Sequence, residues 1–129
     1  MGLSKTEILS ASDQKTLLIE VPEWDGDVFV RTLSGAERDA LDVTWRGIAN
    51  GERAATLNFR ARFAVLVLSN EAGDRLFTDA DADALGKKSG VVLDRVLTEG
   101  FEFNGMGKDD IKELEGNSEA VPSGGSGSE

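Results

Sequence analysis

Thr16-Leu17-Leu18-Ile19-Glu20-Val21-Pro22-Glu23-Trp24-Asp25-Gly26-Asp27-Val28-Phe29-Val30-Arg31 is the stretch that decides the fold. Two apolar, β-branched-rich runs flank Pro22 to Gly26, where proline fixes φ and Asp25-Gly26 supplies turn chemistry. The stretch therefore predicts a β-hairpin over about residues 15–32. Side chains alternate across a strand, which puts Leu17, Ile19 and Val21 on one face and Val28 and Val30 together on a face of the second strand. A lone hairpin is marginal in water, so that apolar face requires helices to cover it.

Downstream residues supply the helices. Ser34-Gly35-Ala36-Glu37 fits a capping box, in which the Ser hydroxyl and the Glu carboxylate satisfy free amides at a helix start. Ala36, Ala40, Leu41, Trp45 and Ile48 then form one apolar stripe over about 35–49, until Asn50-Gly51 interrupts it. A second helix is expected over about 54–68, with Phe59, Phe63 and Val67 on one track; a strand at Val65 to Leu68 is the alternative. Turn chemistry follows at Ser69 to Asp74, and Thr78 with Asp79 and Asp81 opens a short helix over about 79–86. Ser89 begins a longer one, about 89–103, whose Val92, Leu93, Val96, Leu97 and Phe101 form a second stripe. After Asn104-Gly105 a last candidate helix, about 108–115, carries only Ile111 and Leu114 as anchors. The chain reads as one globular α+β domain, predominantly helical, over residues 1–116. In it a hairpin packs on a bundle of about four helices, and residues 117–129 form a flexible, disordered Gly/Ser-rich tail.

Composition limits the chemistry. The 129 residues include no Cys, His or Tyr, which excludes thiol nucleophiles, imidazole bases and the usual zinc ligands. Without cysteine there is no disulfide framework, and a reducing compartment is the expected setting. Fourteen Lys and Arg against 24 Asp and Glu give a net charge of -10, which repels polyphosphate, so neither nucleic acid nor an anionic membrane is an expected partner. No apolar span of ~20 residues and no signal-peptide core is present, so nothing points to export or insertion.

Motifs that could carry a reaction fail on their own terms. Asp79-Ala80-Asp81-Ala82-Asp83 opens like a calcium loop, but its sixth and twelfth positions hold Ala84 and Gly90 in place of Gly and Glu. Gly86-Lys87-Lys88-Ser89 echoes the end of a P-loop, yet the residue five before Gly86 is Asp81, whose charge opposes phosphate. No Gly-x-Ser-x-Gly elbow occurs. No catalytic residue, cofactor or metal site is expected, and a carboxylate-dependent hydrolase would require two inward-facing acids.

Association is the better reading of what remains. Residues 1–64 carry 10 acidic and 8 basic residues, and residues 65–129 carry 14 and 6. Within the first half Arg46, Arg53, Arg60 and Arg62 form a basic stretch that could meet the acidic half of another copy, or simply be a solvated helix surface. Trp45 belongs to the helix stripe; Trp24, in the hairpin turn, is either folded back on the core or an interface anchor. The candidate partner or self-association residues are thus Trp24, Arg46, Arg53, Arg60, Arg62, Ile111 and Leu114.

The order of segments Val21-Pro22-Glu23-Trp24, Gly35-Ala36-Glu37-Arg38-Asp39, Arg60-Ala61-Arg62, Arg75-Leu76-Phe77-Thr78-Asp79, Leu85-Gly86-Lys87-Lys88-Ser89, Asn104-Gly105 and Glu113-Leu114-Glu115 resembles tail assembly chaperones of long-tailed bacteriophages, over about residues 3–117. The resemblance implies a mostly helical, non-catalytic protein of the host bacterial cytoplasm that is not expected in the mature virion. It would bind and solubilise the tape measure protein, help recruit the tail-tube protein, and assemble as a homo-oligomeric ring or spiral. The alternative is a structural or connector protein of the phage particle. A tape measure protein presents long amphipathic helices, which call for an apolar groove with a polar rim; the hairpin face and the last helix are the expected groove members.

Overall fold

The computed structural model describes residues 2–106. The helix expected over 108–115, with Ile111 and Leu114, and the tail over 117–129 lie outside them. Element order is α1 (Lys5–Ser10), β1 (Thr16–Val21), β2 (Gly26–Arg31), α2 (Gly35–Ala49), α3 (Arg53–Thr56), α4 (Phe59–Val67), β3 (Leu68–Ser69), α5 (Ala82–Leu85) and α6 (Gly90–Phe103). The architecture is α+β, a small antiparallel sheet packed on helices, in agreement with the class expected from the sequence.

β1 and β2 form the hairpin, paired Leu17 to Val30, Ile19 to Val28 and Val21 to Gly26, so the apolar positions share a face as the alternation requires. The turn is one 3-10 turn at Pro22–Trp24 followed by Asp25 at φ 57, so Asp25 takes the left-handed conformation. A third strand, β3, extends the sheet with Phe29 opposite Ser69 and Val30 opposite Leu68. The apolar run at residues 63–68 resolves into helix for all but its last residue, which enters the sheet.

The helix expected over 54–68 is broken. Asn58 adopts φ 57, ends the short α3 and starts α4 in a new direction, and its side-chain Nδ2 donates to the Ala82 carbonyl at 3.1 Å. The helix expected over 79–86 is a 3-10 turn at Asp79–Asp81 leading into α5; the Asp81 carboxylate accepts the Thr78 amide at 2.8 Å. Ser34 and Glu37 form the expected capping box of α2. Ser89 precedes α6 but its hydroxyl makes no cap bond. The N-terminal α1 occurs where the sequence reading placed no element, although Ser4-Lys5-Thr6-Glu7 is the same box pattern.

The inner sheet face, with Ile19, Val21 and Val30 buried, packs on α6 and α4. Beneath α2 lies an aromatic cluster: Phe101 meets Phe63 edge-on at 4.8 Å between centroids and Trp45 at 5.2 Å, with Phe59 at 6.2 Å from Trp45. Gly100 allows this approach, because a Cβ there would sit 2.8 Å from Phe63 Cε2.

Candidate functional site: an apolar groove on the helical layer

Because α3 and α4 part at Asn58, a groove of about 620 Å³ opens between α2, the α3–α4 elbow and the segment Asp79–Asp83. Leu41, Phe59, Phe63, Val65 and Ala82, all buried, form its floor. Leu57, 53% exposed, stands on its edge, and Thr44, Asn58, Arg62, Asp79 and Asp83 supply polar groups. Concave apolar surface with a few polar groups is the general form of a ligand or helix-binding site.

Arg62 shapes one wall. Its guanidinium donates to the carbonyls of Ala54 at 3.4 Å, Leu57 at 3.3 Å and Ala55, and lies 5.9 Å from the Phe59 ring centroid. It therefore satisfies carbonyls that the short α3 leaves free and covers an aromatic face. Asp79, also in the lining, pairs with Arg75 at 2.9 Å, and Arg75, outside the lining, donates to the Val65 carbonyl at 3.0 Å. The acidic run Asp79 to Asp83 is thus divided among a salt bridge, a helix cap and the groove edge. Among the described residues no group of three or more carboxylates is placed to hold a metal ion.

The other candidates disperse. Arg60 points to the far side of α4 and pairs with Asp94 on α6, so it does not join Arg62. Arg46 on α2 and Arg53 on α3 are exposed and make no salt bridge among the described residues. Trp24 is half-buried and packs on the core. Beside it Glu23 accepts both Arg95 nitrogens at 2.7 Å, fastening the hairpin turn to α6. The Arg95 guanidinium holds the Glu23 carboxyl down at about 2. The hairpin face expected to line the groove is instead closed, with Val21 and Val30 fully buried under α6 and α4. Ile111 and Leu114 lie outside the described residues. An apolar groove with a polar rim was expected, but neither Leu57 nor the place at the α3–α4 elbow; the available signal was Asn58, a residue tolerant of positive φ within an otherwise helical run.

Fold and groove define the class of molecule: a small α+β domain whose helical layer carries an open apolar groove. The family model described as phage tail assembly chaperone matches residues 7–117. The chain belongs to the phage tail assembly chaperone family. Its fold is similar to that of the bacteriophage HK97 tail assembly chaperone, with a TM-score of 0.53 and 19% identity over 75% of this chain and 89% of that one. No curated protein matches the chain.

Proposed function

We propose that this chaperone binds the tape measure protein through the groove between α2 and α4, receiving one face of an amphipathic helix and keeping that long polymer soluble until the tail tube encloses it. The observation that carries the reading is the groove itself: about 620 Å³, apolar on its floor, with Arg62, Asp79 and Asp83 in its lining. A helix with apolar residues at i, i+3 or i+4 fits such a surface, and flanking charges fix its direction. The net charge of -10 opposes aggregation of the complex. The protein acts without catalysis, in the host cytoplasm, as a homo-oligomeric ring or spiral that also meets the tail-tube protein and leaves before the virion is finished. Among the described residues no helix is long and apolar enough to cross a membrane.

Co-expression with the tape measure protein tests the reading. The expected result is a soluble complex that co-purifies. A tape measure protein that is equally soluble alone and never co-purifies contradicts it.

A further inference from the structure

α1 is too short to stand alone. Isolated helices below ~12–15 residues are marginal in water, and α1 has 6. Its start is nonetheless well specified, with Ser4 Oγ accepting the Glu7 amide at 3.1 Å and Glu7 accepting the Ser4 amide at 2.8 Å. None of its residues is buried; Leu3, Ile8 and Leu9 are 68%, 57% and 75% exposed. Leu3 and Ile8 hold the two positions of a hydrophobic staple around the Ser4 cap, and Leu9 follows beside Ile8. Among the described residues, the hydrogen bonds of α1 and its caps are all internal to that segment. Among the described residues nothing covers this preformed apolar arm.

We propose that α1 of one copy docks in the groove between α2 and α4 of a second copy. Charge selects this surface. Glu7 is occupied by its cap, leaving Lys5 at the start of the arm and Asp13 beyond its end. The groove opposes these with Asp83, since Asp79 is already paired with Arg75, and with Arg62. The other exposed apolar site on the sheet, Leu18, shares the outer face with Glu20 and its cross-strand neighbour Asp27; the cation on that face, Arg31 opposite Thr16, is buried and paired with Glu37, so Asp13 meets no free one there. Each copy donates an arm and receives one at a different surface, so the contact is heterologous and repeats head to tail. The inference rests on reading the groove as a helix-binding site, and it makes the arm a competitor of the tape measure helix for the same groove.

The chain has no Cys, so a single introduced cysteine is unique. Full-length Leu9→Cys mixed with full-length Thr44→Cys and a short bis-maleimide should give a cross-linked heterodimer. Its yield should exceed that of Leu9→Cys with Leu18→Cys by roughly tenfold or more, because docking raises the local concentration. Cross-linking at Leu18 instead, or at neither position, overturns the proposal. So does a cross-link within one chain of a Leu9→Cys/Thr44→Cys double variant at high dilution, which would place the arm in its own groove. Ile8→Glu with Leu9→Glu should reduce the mass seen by light scattering while circular dichroism stays unchanged, since both side chains are more than half exposed; an unchanged mass overturns the proposal. Cross-linking at Thr44 without tape measure capture removes the proposed function and leaves the arm. Capture without cross-linking does the reverse.

Discussion

Asn104 closes the molecule onto Leu33: its side-chain oxygen accepts the Leu33 amide at 2.7 Å across most of the described chain. The same side chain donates to the Gly100 carbonyl at 2.9 Å and the Arg31 carbonyl at 3.3 Å, and the Asn104 carbonyl accepts from Arg38 at 3.2 Å. The end of α6 is thereby tied to the passage from the sheet into α2. Asn104→Ala leaves part-buried backbone groups without partners and should lower unfolding free energy by about 2–3 kcal/mol in urea titration. Asn104→Asp keeps the acceptor and loses the donors, so its effect should be smaller. A loss below about 0.5 kcal/mol for the alanine variant, the scale of an ordinary surface change, would show the tie to be incidental.

Arg31 and Glu37 make a second tie in the same region. Their two hydrogen bonds measure 2.8 and 3.1 Å, with the Arg31 side chain 9% exposed. The Arg31 guanidinium holds the Glu37 carboxyl below its ordinary value, against the opposing effect of burial. A carboxyl whose folded pKa is depressed contributes stability that is present above the unfolded value, near 4.5, and is lost as pH falls through the folded value. Wild-type stability should therefore drop below about pH 4.5. Glu37→Gln should be less stable by about 2–3 kcal/mol at pH 7, with a shallower acid dependence, because it leaves a buried guanidinium without its anion. Parallel acid profiles for the two proteins would contradict this.

Glu23 and Arg95 form a more exposed pair whose effect is best read at the carboxyl itself. With its folded value near 2, Glu23 should remain ionised at pH 3.5, where an ordinary Glu is mostly protonated. Carbon-detected NMR titration of the Glu23 carboxyl follows this directly. Arg95→Gln should return the midpoint to the ordinary range, and a normal midpoint in the wild type would remove the pairing from solution.

Gly100→Ala tests the aromatic cluster. The added methyl would lie 2.8 Å from Phe63 Cε2 and 3.2 Å from Phe63 Cζ, and Phe63 is 1% exposed with little room to move. Overpacking of this kind should cost about 1–3 kcal/mol, against a gain in helix propensity below about 1 kcal/mol. Thermal melts should show a lower midpoint; a rise would mean that Phe63 can turn aside freely.

Much of the fold was legible in the sequence, because period-2 alternation at Leu17, Ile19 and Val21 and the Ser34–Glu37 box are local signals that tertiary packing left intact. The break at Asn58 was not, since a long apolar run outweighs one Asn, and the left-handed turn is held by a bond to Ala82, far along the chain. The site was the least legible part. Arg60 and Arg62 look alike as neighbours in a basic stretch, yet one faces Asp94 on α6 and the other folds onto the carbonyls of α3. That helices must cover the hairpin face was legible; that α6 and α4 close it and leave none of it for a groove was not, because nothing local names the covering helix. Leu57 drew no attention because an exposed Leu gains meaning only from the concave surface beside it.

The groove stands or falls on Leu57. It is 53% exposed on the groove edge, so Leu57→Glu should leave the melting curve nearly unchanged while placing a charge where the proposed helix would set its apolar face. Affinity for the tape measure protein, measured by titration with purified wild type, Leu57→Glu and the off-groove control Leu18→Glu, should fall by about 30-fold for Leu57→Glu alone. Equal affinity for a folded Leu57→Glu protein and the wild type would contradict the proposed binding through this groove.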